Sequence, residues 1–268
     1  MSADPAPPRR RRVDGATPPL AEQPGPGGRV HVTTHRVRLG DVGRDARARM
    51  DALARYLQDV AADDVRDAGT ADDRRWVVRR TYLGIRRRPR YEEPLELATW
   101  CSGTGAAWAE RRTSIRGEGG AAVEAVSLWV SLDPVTMRPA PTGARFDAVY
   151  GPAAGGRQVR ARLQHPDPPP GAAASEWALR AGDFDVLGHV NNAVTWGLLD
   201  EEVERRLPGR RVGSAEVEYR EPIAGGRAVT VLVTSGEGIL RLWALTDGGI
   251  VACTALARVE PGAAPHRR

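Results

Sequence analysis

Residues 183–192 place two carboxylates, one imidazole and two carboxamides within a single short stretch of the chain. The carboxylates belong to Asp183 and Asp185, the imidazole to His189, and the carboxamides to Asn191 and Asn192. Groups of these types can activate water, move a proton and bind a carbonyl oxygen, which is the chemistry of acyl hydrolysis. The stretch is therefore the first candidate for an active site.

The residues around this stretch predict which elements position it. Residues 176–180 have the pattern of a strand, and residues 193–203 carry apolar side chains at helical spacing. The polar residues would then form a strand-to-helix loop that ends at a helix N-terminus. Unpaired N–H groups at such an end carry partial positive charge and can polarise a carbonyl that lies beside Asp185 and His189.

The chain contains the same order of predicted strands and helix twice. A strand at 30–39 is followed by a loop, by a helix that starts near Ala48 and ends by Gly69, and by several strand-like runs up to residue 132. Residues 174–261 repeat this order, which indicates an α+β protein with an internal repeat. Aligning Asp41 with Asp185 places Asp45 at the His189 position and Arg47-Ala48 at the Asn191-Asn192 position. The first copy would thus lack the polar groups, and a single active site is expected.

The 183–192 segment resembles the acyl-acyl carrier protein (acyl-ACP) thioesterases, whose signature has the form Asp-Leu-Asp-x-Asn-x-His-Val-Asn-Asn. Phe184 is a mild change from this signature, whereas Leu187 stands where the family has Asn. The resemblance extends from about residue 30 to 260. It implies two tandem hotdog domains, each a helix wrapped by a curved antiparallel sheet, which together form a pseudo-dimer.

On this basis the domain boundaries are predicted as follows. Residues 1–28 are a disordered tail, 29–149 an N-terminal hotdog domain with the acyl-chain pocket and a degenerate site, 150–173 a linker, 174–261 a catalytic C-terminal hotdog domain, and 262–268 a tail.

The catalytic residues are predicted to be Asp185 and His189, and the resemblance adds Glu221 from a neighbouring strand. Gly188, Asn191 and Asn192 would position the substrate, with the backbone N–H groups of Gly188 and His189 standing in for the Asn replaced by Leu187. Each has a competing structural role. Asp185 or an Asn could cap the helix, His189 could be a hydrogen-bonded structural histidine, and Glu221 could be an exposed turn charge.

The resemblance also implies that the acyl chain lies in the N-terminal unit against its helix. The residues expected to shape this pocket, each of which could equally be plain core, are Met50, Leu53, Leu57, Trp76, Val78 and Trp100. An acidic carrier protein could dock on the arginines at 79, 80, 86–88 and 90, which are otherwise a solvated strand edge.

Composition limits the remaining choices. The chain has 268 residues with 41% hydrophobic content, two cysteines and a net charge of +5. No apolar run is long enough to span a membrane, so a cytoplasmic protein is expected. No metal-ligand spacing and no phosphate-binding glycine loop occur, so no metal and no cofactor are predicted. A homodimer is one open option for the assembly.

The predicted function is hydrolysis of fatty acyl-ACP to free fatty acid. Alternatives are a thioesterase for acyl-CoA or for polyketide intermediates on the same fold, and a catalytically weak acyl-binding homologue, which the Leu187 departure suggests. A nucleic-acid binder is a further class of function, but no basic-aromatic motif supports it. No nucleic acid is expected as a partner.

Overall fold

In the part of the chain that the structure describes, ten strands form one antiparallel sheet and three α-helices accompany it. The structure is a computed structural model that describes residues 23–70 and 75–261. The strands are β1 (His31–Arg36), β2 (Arg75–Arg87), β3 (Pro94–Thr104), β4 (Trp108–Gly117), β5 (Ala122–Leu132), β6 (Ala173–Glu176), β7 (Arg210–Tyr219), β8 (Thr230–Gly236), β9 (Ile239–Thr246) and β10 (Ile250–Pro261). The helices are α1 (Met50–Asp67), α2 (Ala144–Ala154) and α3 (Asn192–Arg206).

The sheet is built from two equivalent halves. Its strand order is β1-β3-β4-β5-β2-β7-β10-β9-β8-β6, so each half has the same internal order, read from opposite edges. The halves join where β2 pairs antiparallel with β7, with Thr81 opposite Val217. The α+β class and the repeated plan of the sequence are therefore confirmed.

Helices α1 and α3 pack against each other on one face of this sheet and form the core with it. Met50 and Leu53 of α1, and Trp196 and Leu199 of α3, are at most 1% exposed. Their spacing of three residues places each pair on one apolar face of its helix. Burial of each such side chain contributes about 1.5–3 kcal/mol, so this shared core holds the two halves together.

Helix α2 lies across the predicted boundary between the first domain and the linker. A linker was predicted from residue 150, but α2 runs from Ala144 to Ala154. Phe146 and Tyr150 of α2 form an aromatic row with Trp76 of β2, with ring centroids 5.0 and 4.9 Å apart. Since this packing pairs helix with strand, α2 belongs to the N-terminal half.

The segment that connects the halves is fixed to the sheet. The indole N–H of Trp108 donates to the Val159 carbonyl at 2.8 Å, and that of Trp243 donates to the Pro166 carbonyl at 2.7 Å. The Glu218 carboxylate accepts from the backbone N–H groups of Gln164 and His165. The linker thus follows one path along the sheet.

Two further predictions differ in detail from the structure. Strand β6 covers Ala173–Glu176, whereas a strand was predicted over 176–180, a stretch that instead leads into a 3₁₀ turn. Most of the predicted tail at 1–28 and all of 262–268 lie outside the described residues. Residues 23–28 are described and pack on α2, where Gly25 N–H donates to the Ala153 carbonyl at 2.8 Å. A Cβ at Gly28 would lie 2.3 Å from the Ala153 Cα, so only glycine fits there.

Among the described residues, none of the helices combines the length and the apolar character that a membrane span requires.

Candidate active site

The loop before α3 begins with a 3₁₀ turn that Asp183 stabilises. Its carboxylate accepts from the Arg180 backbone N–H at 2.8 Å, and its carbonyl accepts from the Asn191 N–H at 2.8 Å. Asp183 is 4% exposed, and it closes the loop at both ends. Asp183 therefore has a structural role.

Asp185 organises the centre of the loop. Its Oδ1 accepts from the backbone N–H groups of Leu187 at 2.9 Å and His189 at 3.3 Å. Its carbonyl accepts from Gly188 N–H at 3.0 Å, and Gly188 adopts a φ of 73°, which favours glycine. No hydrogen bond to Asp185 Oδ2 occurs in the described part of the chain. One carboxylate oxygen is thus held in place while the other is left for a ligand or water.

These bonds correct one part of the predicted site. The N–H groups of Gly188 and His189 were expected to bind the substrate carbonyl, but both donate to Asp185 within the loop. Gly188 serves the backbone turn instead. Polarisation of a carbonyl must come from other donors.

His189 lies next to Asp185 with a half-buried side chain. Its backbone bridges to Ala224, and the neighbouring Val190 N–H donates to the Ile223 carbonyl at 2.9 Å. These bonds fix the loop against the segment after β7. Across residues 23–70 and 75–261, no hydrogen bond to the His189 ring is present, so no protein partner holds its nitrogens.

The two asparagines have different positions. Asn191 is the N-cap of α3, because its Oδ1 accepts from Ala193 N–H at 2.9 Å, which confirms that one of the pair caps the helix. The same oxygen accepts from Gln58 Nε2 of α1 at 3.2 Å. Asn192 is the first residue of α3, and its carbonyl accepts from the Tyr219 hydroxyl at 3.0 Å.

Glu221 is exposed, and its backbone N–H donates to the Ala252 carbonyl at 3.0 Å. Its segment borders the loop through Ile223 and Ala224. Among the described residues, the Glu221 carboxylate forms no hydrogen bond with Asp185 or His189 and no ion pair. Its environment matches that of an exposed turn charge.

A cavity of about 610 Å³ lies beside this loop in the N-terminal half. It is bounded by α1, α2 and strands β2 to β5, and Leu187 reaches it from the C-terminal half. The α1 residues in its wall recur at helical spacing: Gln58, Ala61, Ala62 and Val65. A rise of about 1.5 Å per residue makes this stripe about 10 Å long. The end marked by Gln58 and Leu187 is the end next to Asp185.

The predicted pocket residues are mostly elsewhere. Trp76 lines the cavity, but Met50, Leu53 and Leu57 are buried in the core shared by α1 and α3, on another face of the helix. Val78 and Trp100 are buried without lining the cavity. Trp100 precedes the wall residue Cys101, and adjacent strand residues face opposite sides of a sheet.

Arg111 and Cys101 are two reactive or charged groups in the cavity wall that the structure constrains. Arg111 donates to Asp64 at 2.7 Å, and Asp64 is 1% exposed and also accepts from Arg29. Burial raises the pKa of the Cys101 thiol to about 11, so this thiol stays protonated at neutral pH. A cysteine nucleophile in the cavity is therefore not expected.

The structure shifts the repeat alignment by two residues. Asp41 bonds to the Arg38 and Arg49 N–H groups in the way that Asp183 bonds to Arg180 and Asn191, so Asp41 corresponds to Asp183 and not to Asp185. The bridge Val42–Ala48 likewise matches Phe184–Val190. At the positions of Asp185, His189 and Asn191, the first loop therefore has Gly43, Arg47 and Arg49.

Ion pairs occupy the first copy of the site. Asp200 of α3, which corresponds to Gln58 by the same offset, accepts from Met50 N–H at 2.7 Å and from Arg88 at 2.8 Å. Arg90 is another of the arginines predicted to dock a carrier. Its backbone forms an antiparallel β-bridge with that of Arg47 in this first loop. The first copy therefore stabilises the helix pair, and part of the arginine cluster lies beside it.

One cluster outside the loop could offer metal ligands. His165, Glu216 and Glu218 place ligand atoms within 4.8 Å of one another. The His165 ring bonds to Thr254 at 2.8 Å and Glu216 at 3.1 Å, and Glu218 holds the linker backbone. These bonds account for the cluster as an anchor of the linker.

The sequence reasoning did not find Gln58, Phe146 and Tyr150. The spacing of Phe146, Val149 and Tyr150 is helical and could have indicated α2. No local signal marks Gln58, because its partner Asn191 is 133 residues away.

Comparisons with known proteins match most of the chain. Residues 28–146 match the family model described as the acyl-ACP thioesterase N-terminal domain, and residues 170–258 match the model of the C-terminal domain. An uncharacterized protein of Mycobacterium tuberculosis is 25% identical over 242 residues, which are 90% of this chain and 96% of its own. A chloroplastic palmitoyl-acyl carrier protein thioesterase of Arabidopsis thaliana is 25% identical over 85% of this chain and 60% of its own.

Solved structures show the same fold. A 12:0-ACP thioesterase from Umbellularia californica superposes with a TM-score of 0.73 at 23% identity, covering 87% of this chain and 97% of its own. An acyl-ACP thioesterase from Bacteroides thetaiotaomicron gives a TM-score of 0.69 at 20% identity, covering 86% and 98%.

Proposed function

The chain belongs to the acyl-ACP thioesterase family, and on that premise we propose that its Asp185–His189 loop hydrolyses the thioester while the acyl chain occupies the N-terminal cavity. The family membership makes the protein a thioester hydrolase. The observation that carries the rest is that the cavity reaches Leu187, whose N–H bonds to Asp185 Oδ1. The reacting carbonyl would thus lie beside the carboxylate.

Asp185 would act as the general base. Its Oδ1 is fixed by two backbone donors, so the carboxylate has one orientation, and Oδ2 accepts a proton from a water molecule. The water oxygen forms a bond to the thioester carbon, and the carbonyl oxygen becomes an oxyanion. A positioned base of this kind typically contributes about 10²–10⁴ in rate.

The oxyanion would be stabilised by the α3 N-terminus and by Gln58. Gln58 Nε2 has two N–H groups, and one of them bonds Asn191 at 3.2 Å, so the second can donate to the oxyanion. Gln58 also lines the cavity together with Leu187. In this proposal a carboxamide from α1 compensates for the family Asn that Leu187 replaces.

His189 would complete the reaction as the general acid. When the tetrahedral intermediate collapses, the C–S bond breaks and the protonated imidazole gives its proton to the leaving sulfur. The products are a free carboxylic acid and the carrier thiol. The proton that Asp185 took from water then passes to His189, directly or through solvent, which restores both groups.

The carrier is proposed to be acyl carrier protein, and the protein is proposed to work in the cytoplasm as a step in fatty acid biosynthesis. Support for the carrier comes from the family model and from the carrier named in the plant relative. The acyl-CoA alternative uses the same site and differs in the carrier alone.

Turnover of matched substrates tests this proposal. The full chain is given one acyl group on acyl carrier protein, on CoA and on free pantetheine, and free thiol is followed with a chromogenic reagent. We expect the highest kcat/KM on the carrier protein and loss of activity in the Asp185→Asn variant on all three. Equal kcat/KM on the carrier protein and CoA would contradict the carrier assignment, and no turnover of any substrate would contradict hydrolysis.

A further inference from the structure

Two buried hydrogen-bond donors in the cavity wall have no partner in hydrogen-bonding geometry among the described residues. They are the Trp129 indole N–H and the Tyr150 hydroxyl, although Thr70 and Arg111 lie close to that hydroxyl. Both side chains line the cavity, and Tyr150 as a whole is 1% exposed. A buried donor without a partner is destabilising, so such groups are normally paired with protein, water or ligand.

The two donors belong to the same region of the cavity. Trp129 of β5 is directly opposite Ala109 of β4, so their side chains share one face of the sheet. Ala109 in turn packs with Tyr150 in the small apolar cluster under α2. Both side chains therefore border the part of the cavity next to Ala109.

This region is the end of the cavity away from the reacting loop. The Tyr150 hydroxyl lies near Thr70, which follows the C-terminus of α1, whereas Gln58 and Leu187 mark the end beside Asp185. An acyl chain whose thioester lies at Asp185 would have its distal carbons near Tyr150. A plain hydrocarbon end would leave both donors unsatisfied.

The charge of the surroundings favours a neutral acceptor. Arg111 also lines the cavity and stacks over the Tyr150 ring at 5.7 Å, but its guanidinium is paired with buried Asp64. Burial raises the pKa of Tyr150 above its ordinary value, although contacts with Thr70 and Arg111 oppose this. The phenol is therefore a protonated donor at neutral pH.

We propose that the acyl group accepted by this cavity carries a neutral oxygen, as a hydroxyl or a ketone, at or near its distal end, and that this oxygen accepts hydrogen bonds from Tyr150 and Trp129. The proposal rests on the function proposed above, since it assumes that the cavity holds the acyl chain. It deepens that function by naming the substrate class as oxygenated acyl thioesters.

Binding of free acids tests the proposal without requiring turnover. The full chain is titrated by calorimetry with saturated fatty acids of several lengths and, for each length, with the acids that carry a hydroxyl on the last or the penultimate carbon. We expect the hydroxylated acid of the best-fitting length to bind about threefold to tenfold more tightly than its saturated counterpart, as one net hydrogen bond implies.

The variants Tyr150→Phe and Trp129→Phe should each reduce this ratio, and thermal melting checks that both fold. Tyr56→Phe is the matched control, because it also removes a buried tyrosine hydroxyl, but one that does not line the cavity. It should leave the ratio unchanged.

Several results would overturn the proposal. The first is equal binding of the saturated and the hydroxylated acid, and the second is a preference for the hydroxylated acid that persists in both Tyr150→Phe and Trp129→Phe. The third is tighter binding of a dicarboxylic acid of the same length, titrated in parallel, which would mean a charged ligand. Selective binding of hydroxylated acids without thioester hydrolysis would instead contradict the proposed catalysis and leave this inference supported. Hydrolysis without any such selectivity would contradict this inference alone.

Discussion

Two substitutions of Asp185 distinguish a catalytic role of its carboxylate from a structural role. Asp185→Asn keeps an oxygen that can accept from the Leu187 and His189 N–H groups, so the loop should fold, but it removes the base. We expect kcat to fall by about 10²–10⁴-fold, the usual contribution of a general base. Melting temperature should change little, because both backbone bonds are retained.

Asp185→Ala removes the acceptor as well. Two hydrogen bonds at about 1 kcal/mol each give a loss of about 2 kcal/mol in the free energy of unfolding. For a chain of this size that corresponds to a fall in melting temperature of roughly 4–8 °C. The Ala variant should therefore be as inactive as the Asn variant and measurably less stable.

The assay is steady-state hydrolysis of acyl-ACP together with calorimetric melting of each variant. Asp45→Asn is the control, because Asp45 makes an equivalent side-chain bond to the Arg47 N–H in the first loop, away from the cavity. It should retain wild-type kcat. An Asp185→Asn variant whose kcat stays within about threefold of wild type would refute the assignment of Asp185 as the base.

Three further predictions concern Gln58 and Ala61 of α1 and Asp200 of α3. Gln58→Leu should lower kcat by about 10–100-fold with little change in melting temperature, since one oxyanion donor is lost; unchanged kcat in steady-state hydrolysis would exclude that role. Asp200→Ala, at the equivalent position in the degenerate copy, should lower the free energy of unfolding by about 2 kcal/mol, from about 1 for the lost cap and about 1 for the ion pair with Arg88. Its kcat should remain near wild type, and denaturant titration with activity assays checks both effects. Ala61→Leu should shift the preference toward shorter acyl chains, by roughly fourfold in kcat/KM for each methylene that no longer fits, since each is worth about 0.8 kcal/mol; a profile over chain lengths that matches wild type would show that the chain does not run along α1.

Local sequence was sufficient for most elements and for the fold class, but not for α2, which overlaps the predicted linker. The alternating and helical patterns predicted both central helices, most strands and the repeat, because these patterns record which side of each element faces the core. The asparagine cap of α3 was likewise predicted, since capping needs one side chain and its own backbone.

The repeat alignment needed the three-dimensional structure. Asp41 and Asp185 both precede a valine, but the backbone bonds of the two loops pair Asp41 with Asp183. Sequence identity over two residues could not distinguish an acid that closes a turn from an acid that faces a ligand.

What the sequence determined is the chemistry available and the elements that carry it: a carboxylate, an imidazole and a helix N-terminus brought together within ten consecutive residues. The tertiary structure alone decided which side chains surround the substrate. Gln58, Trp129 and Tyr150 come from separate elements, far along the chain from the loop and from one another, and the pairing of strands and the packing of α1 and α2 bring them to one cavity. Contacts of this kind depend on long-range packing, which no local pattern of residues records.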